Sequence, residues 1–171
     1  MKTRLLALAV ALGVLAGFGV AAGACTSEDG SALTLEEYFQ QLDELDNRSN
    51  DQFSELDSQL GAEPDIDAFK EIFPQYVDVF DDFLADLDDI EPPDEAKDAH
   101  DEAIEAGQAF REELAGLVED AGDAATVDEV FAGFESEAFG AADQRFTDAC
   151  FALQGIAAEN SITVDLDCGG E

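Results

Sequence analysis

Apolar residues recur at helical spacing along most of the chain after residue 34. The clearest run lies between residues 67 and 90, where steps of three and four separate Phe69, Phe73, Tyr76, Phe80, Phe83, Leu87 and Ile90. The pattern predicts four helices, over residues 35–60, 67–90, 94–121 and 127–159. Their connections are short, which favours antiparallel neighbours. We therefore predict an all-α fold, an antiparallel up-down four-helix bundle.

Local residues refine these helices. Thr34 precedes Glu37 and Thr126 precedes Glu129, each pair at the spacing of a capping box. Because a proline removes a backbone hydrogen bond, Pro74 predicts either a kink in the second helix or a division near residue 73.

Small residues have separate consequences in the last two helices. The early half of the third helix is rich in them, with Ala96, Ala103 and Gly107 on its apolar face, which predicts close approach of a neighbour there, with phenylalanines of the second helix as the filling groups. Gly140 is expected to loosen the fourth helix midway.

The C-terminal tail is predicted to fold back along the fourth helix. Residues 162–166 alternate apolar and polar as an extended strand does. Helical rise carries the chain ~15 Å from Cys150 to Asn160, and the extended tail can span ~26 Å from Asn160 to Cys168. The two sulfur atoms can therefore meet, and we predict a Cys150–Cys168 disulfide. The alternative is two reduced cysteines, one of them in the core.

The N-terminus has the anatomy of an export signal. Lys2 and Arg4 precede an uncharged run that ends in small residues before Cys25. The segment Ala22-Gly23-Ala24-Cys25 resembles the lipobox of bacterial lipoproteins, although that family usually has Leu where Ala22 stands. The resemblance implies acylation of Cys25 and a lipid anchor on the extracytoplasmic side of the cell membrane. Free secretion after ordinary cleavage and an uncleaved anchor remain as alternatives.

These features divide the chain and its cysteines. The predicted parts are a signal peptide, a lipid-tether linker and a helical bundle domain, over residues 1–24, 25–33 and 34–171. An odd cysteine count in an exported protein requires an explanation, and acylation of Cys25 leaves two cysteines to pair in an oxidising compartment. The end of the chain also resembles that of some uncharacterised exported bacterial proteins, through Cys150-x-x-Leu153-Gln154 and Val164-Asp165-Leu166-x-Cys168.

The charge is strongly acidic. The chain has 42 acidic and 7 basic residues, a net charge of -35, and loss of Lys2 and Arg4 with the signal leaves -37 on the mature protein. Phosphate repels such a surface, so nucleic-acid binding is not expected. Basic proteins and cations are favoured as partners. The charge itself is more simply explained by a highly solvated surface, adapted to salt or simply tolerated, because net charge bears on solubility more than on function.

Few residues suit catalysis or metal binding. His100 is the only histidine, so a catalytic triad or a two-histidine di-iron site has no basis. We expect His100 at the bundle margin, paired with a carboxylate or a backbone carbonyl; a ligand-binding or pH-sensing role is the alternative. Acidic pairs such as Asp65 with Asp67 do not complete an EF-hand loop. We predict no enzyme, no cofactor and no specific metal site.

The sequence therefore favours a membrane-tethered, extracytoplasmic lipoprotein that acts as a non-catalytic binding or structural module. Its expected partners are the lipid anchor at Cys25 and a basic envelope protein or cations. The main alternative is a protein that binds divalent cations or small cationic ligands through carboxylates near one end of the bundle. An enzyme with an unrecognised acidic site is a third interpretation.

Overall fold

The computed structural model describes residues 33–61 and 64–169, which lie in one compact unit. The predicted signal peptide and Cys25 lie outside the described residues. The described chain is all-helical and contains no strand. Its five helices are α1 (Leu35–Leu60), α2 (Ile66–Asp88), α3 (Lys97–Asp123), α4 (Val127–Phe134) and α5 (Glu137–Glu159).

The helix starts follow the predicted caps, with one difference. At α1 the Thr34 hydroxyl accepts the Glu37 N–H at 3.2 Å, and the Glu37 carboxylate accepts the Thr34 N–H at 2.9 Å. This is the predicted capping box. At α4 the Thr126 hydroxyl accepts the Glu129 N–H, but the Glu129 carboxylate accepts the N–H of Ala125 instead of that of Thr126. Only half of the second box is therefore formed.

Pro74 does not divide the second helix. α2 runs without interruption from Ile66 to Asp88, so the predicted division near residue 73 is wrong. The proline lies on the exposed side, while Phe73 and Val77 beside it are buried. The loss of one hydrogen bond on the solvent side is offset by apolar packing on the other side.

The fourth predicted helix is two helices. α4 ends at Phe134 and α5 begins at Glu137, so the continuous helix predicted over 127–159 is wrong. The break lies before Gly140, where Ser136 caps α5 by accepting the Phe139 N–H at 3.2 Å. A polar residue that can cap a new helix competes with continuation of the old one, because it satisfies an otherwise unpaired donor.

The buried side chains form two clusters. The first, here the tail-side cluster, combines residues of α1, α3, α5 and the tail with Leu87 at the end of α2; its other members include Tyr38, Phe39, Leu42, Leu45, Ala103, Leu153, Leu166 and Cys168. The second, here the aromatic cluster, combines residues of α2, α3 and α4, namely Phe69, Phe73, Val77, Leu114, Leu117, Ala121 and Val130. The principal interfaces among the described helices are α1–α2, α2–α3, α3–α4, α3–α5 and α4–α5.

Candidate functional site

The C-terminal tail is fixed to α5 by a disulfide. Cys150 and Cys168 are bonded, with their Cα atoms 5.3 Å apart, which confirms the predicted pair. Leu166 and Cys168 are buried in the tail-side cluster. The tail therefore belongs to the core of the domain.

The side chain of Gln154 forms hydrogen bonds with the backbone of the C-terminal tail. Gln154 Nε2 donates to the Val164 carbonyl at 2.7 Å, and the Leu166 N–H donates to Gln154 Oε1 at 2.9 Å. This pairing satisfies the backbone of a segment that has no second strand beside it in the described chain. Sequence reasoning missed this role, although Gln154 follows Cys150 by four residues and so lies on the same helix face.

The tail also reaches α1, where carboxylates gather. The Asp167 N–H donates to Asp46 Oδ2 at 3.1 Å. Burial raises the pKa of Asp46, and the negative charges of Asp167, Asp43 and Asp165 raise it further, while the hydrogen bond from Asp167 lowers it. Within the part of the chain that the structure describes, no group of three or more His, Cys, Asp or Glu residues is arranged to hold a metal ion.

His100 lies in the core and not at the bundle margin. The residue is 2% exposed, and its Nδ1 lies 3.0 Å from the hydroxyl of the fully buried Tyr38. The expected carboxylate or carbonyl partner is therefore replaced by a phenol. Asp101 pairs instead with Lys97 at 2.8 Å. Burial lowers the pKa of His100 and raises that of Tyr38, so both groups are held neutral.

Four of the five basic side chains in the described part of the chain form ion pairs. Arg48 pairs with Asp86 across α1 and α2 at 2.6 Å. Arg111 donates two hydrogen bonds, each 2.7 Å long, to Asp81 across α2 and α3, and they lower the pKa of that carboxyl. A third arginine bridges two glutamates from α5 to α3. These cations leave the acidic surface largely uncompensated.

The surface depressions of the described region are shallow. One groove of about 520 Å³ lies between α3 and α5, lined by Glu102, Ala141, Gln144, Arg145, Asp148, Ala149 and Ala152. Among residues 33–61 and 64–169, two large apolar side chains are exposed, Phe131 on α4 at 52% and Phe151 on α5 at 55%. No described helix is long and apolar enough to cross a membrane.

No protein-family model, curated protein or solved structure matches this chain.

Proposed function

We propose that this protein is an exported lipoprotein, anchored through Cys25, whose helical domain binds a basic partner outside the cytoplasm without catalysis. The observation that carries the proposal is the charge of -35, combined with the use of four of the five basic side chains of the described residues in intramolecular ion pairs. Carboxylates outnumber the cations that could neutralise them. A basic partner therefore gains favourable electrostatic energy and a faster encounter.

The cysteines support the proposed export and anchor. Cys150 and Cys168 are consumed by the disulfide, which is typical of oxidising compartments. Of the three cysteines, only Cys25 is then left for acylation. A short polar linker after it would hold the domain close to the membrane.

We also propose that the domain is an antiparallel four-helix bundle in which α4 and α5 together form the fourth helix. Contacts between α1 and α2 support this arrangement, because Arg48 pairs with Asp86 while Asp57, further along α1, accepts a hydrogen bond from Tyr76, earlier on α2. The residue numbers thus rise on one helix as they fall on the next. Such a bundle presents a fixed surface, which lowers the entropy lost on binding.

Mass analysis of the protein from its native membrane tests the anchor. We expect a diacylglyceryl or triacyl mass on Cys25, and two hydrogens missing across Cys150 and Cys168 under non-reducing conditions. The Cys25→Ser variant should leave the membrane fraction. An unmodified, soluble wild-type protein would contradict the anchor.

Binding is tested with a defined basic probe. The probe is a capped peptide of about 20 residues, above the length at which isolated helices are marginal in water, with arginines and with leucines on one face. We expect saturable binding to the detergent-solubilised full chain at about 0.15 M salt, where long-range attraction is already screened. A peptide of the same length with glutamates in place of arginines is the control. Failure of the basic peptide to bind at this salt concentration would contradict the proposed function.

A further inference from the structure

We infer that the basic partner docks on the exposed face of α4 around Phe131, an inference that rests on the proposed function. Phe131 is 52% exposed, although phenylalanine is usually buried. Its ring centroid lies 5.9 Å from that of Phe69 and 6.2 Å from that of Phe134. The exposed ring is therefore the outer member of an aromatic group that continues into the core.

The aromatic group holds Phe131 in position. Phe69, which it meets edge to face, is 4% exposed. α4 itself is fixed by the buried Val130 and by Gly133, whose missing side chain leaves room for Leu117 of α3. A side chain that is already ordered loses little entropy when a partner covers it.

Two exposed carboxylates lie near Phe131. Asp128 precedes it by three residues within α4, a spacing that makes the two side chains neighbours on the helix surface, and Glu135 is the C-cap residue that follows α4. Neither carboxylate has a hydrogen-bond or ion-pair partner within the described chain. An exposed aromatic ring near two such carboxylates suits an arginine or lysine, through a cation–π contact and charge-assisted hydrogen bonds.

The charge of the whole chain selects among occupants. A second copy would bring another net charge of -35 to the surface, and nucleic acid or anionic lipid would bring further negative charge. A cationic polypeptide segment brings the opposite sign. The occupant is thus a segment of a basic protein that carries arginine or lysine beside an apolar side chain.

Phe151 provides a matched control on the same molecule. It is 55% exposed, slightly more than Phe131, and also lies on a helix. Among the described aromatic contacts, Phe151 makes none. Asp148, three positions before it, already accepts a hydrogen bond from Gln144 at 2.8 Å, and the residue four positions after it is Gly155. The two sites therefore share exposure but differ in aromatic support and in free flanking charge.

The test compares the affinity of single variants for the arginine- and leucine-containing peptide described above. With the detergent-solubilised full chain, Phe131→Ala should raise the Kd at least about fivefold, as loss of a central aromatic contact does. Phe151→Ala should change the Kd by less than about twofold, as a peripheral residue does. The double variant Asp128→Asn, Glu135→Gln should weaken binding and reduce its salt dependence. Circular dichroism checks that each variant is folded.

Three other results of this comparison would contradict the docking surface. Binding by the wild-type chain with equal effects of Phe131→Ala and Phe151→Ala would overturn the docking surface and leave the proposed function in place. Absence of wild-type binding would overturn both. A change of oligomeric state on Phe131→Ala, measured by analytical ultracentrifugation without peptide, would mean that a second copy covers this face, and would also overturn the inference.

Discussion

His100 shows how burial selects the protonation state of a single residue. Its ring contacts Tyr38 of α1, and the charged groups near it are Asp101 and Lys97 on its own helix and Asp88 of α2. Burial lowers the pKa of His100 and the positive charge of Lys97 lowers it further, whereas the two aspartates raise it. The net direction is downward, so the folded protein binds a proton less readily than the unfolded chain does.

The first prediction concerns His100 and acid stability. The unfolded histidine takes up a proton near pH 6.5, whereas the folded one does so only at lower pH, so its contribution to stability is lost as the pH falls below about 6.5. We expect His100→Gln, which keeps a hydrogen-bonding group near Tyr38, to lose less stability than the wild type on acidification.

Thermal unfolding of both proteins at about pH 7.5 and pH 5 measures this difference, since these values bracket the unfolded pKa. The surface carboxylates are the same in both proteins, so their effect cancels in the comparison. Equal shifts of the two melting temperatures would show that His100 does not contribute to the pH dependence.

The pKa of Asp46 is shifted upward, opposite to that of His100, and this shift gives the second prediction. The pKa of Asp46 is raised in the folded state, so folding favours the protonated carboxyl. At a pH above the pKa of the unfolded aspartate, ionisation of Asp46 therefore reduces the stability of the fold. Asp46→Asn removes the charge near Asp165 and Asp167 but keeps an acceptor for the Asp167 N–H. We expect a higher melting temperature at neutral pH, and a gain that disappears near pH 3, where the carboxyl is protonated in both states.

The control for this variant is Asp51→Asn, which removes one charge from an exposed position of the same helix. It should give a smaller gain, because an exposed charge is screened by solvent. If the melting temperature rises equally in both variants, the loss of one negative charge explains the effect and the position of Asp46 does not.

At the scale of helices, close approach depends on one glycine of α3. A Cβ atom at Gly107 would lie 2.6 Å from Leu84 Cδ2 of α2 and 3.3 Å from the Phe146 ring of α5. The predicted close approach is therefore present. The filling groups differ from those expected, since the α2 contribution is a leucine and the phenylalanine comes from α5.

The third prediction compares two glycines of this helix. Gly107→Ala should lower the free energy of unfolding by up to about 2 kcal/mol, because the overpacking cost of about 1–3 kcal/mol exceeds the gain of up to about 1 kcal/mol in helix propensity. A methyl group at Gly116 would meet no atom within 4 Å, so Gly116→Ala should raise stability by up to about 1 kcal/mol through helix propensity. Urea unfolding of both variants measures the two changes. Stabilisation by both substitutions would contradict the packing argument.

For the whole molecule, charge dominates the response to solution conditions. The net charge of -35 includes carboxylates at helical spacing, such as Asp78, Asp82 and Asp86 of α2. Like charges at helical spacing cost a few tenths of a kcal/mol per pair at low salt. The ion pairs that oppose this repulsion are exposed, so each contributes about 0–1 kcal/mol.

The fourth prediction is that salt stabilises the protein. We expect the melting temperature to rise from low to molar sodium chloride, because screening weakens the repulsion between carboxylates more than the few attractive pairs. Potassium chloride at the same ionic strength is the control and should act equally. A melting temperature that stays flat across this range would contradict the prediction.

The proposed function rests on features that are visible in the sequence, whereas the proposed docking surface rests on contacts that only the fold creates. The acidic charge and the lipobox resemblance could be recognised directly in the sequence, and they carry the proposed anchor and partner class. The Phe131 surface could not be recognised in this way, because the exposure of one phenylalanine on an apolar helix depends on which residues pack against it. The structure shows that Phe131 contacts Phe69 and Phe134 and still remains 52% exposed.

The helical class, most helix boundaries and the Cys150–Cys168 pair follow from the order of residues alone, because helical spacing, caps and chain reach are properties of neighbouring residues. The break of the fourth segment before Ser136 required the folded structure. So did the attachment of the tail by Gln154 and the contact of His100 with Tyr38, 62 residues away. Such contacts depend on how all the helices share one buried volume, and local spacing does not specify that arrangement.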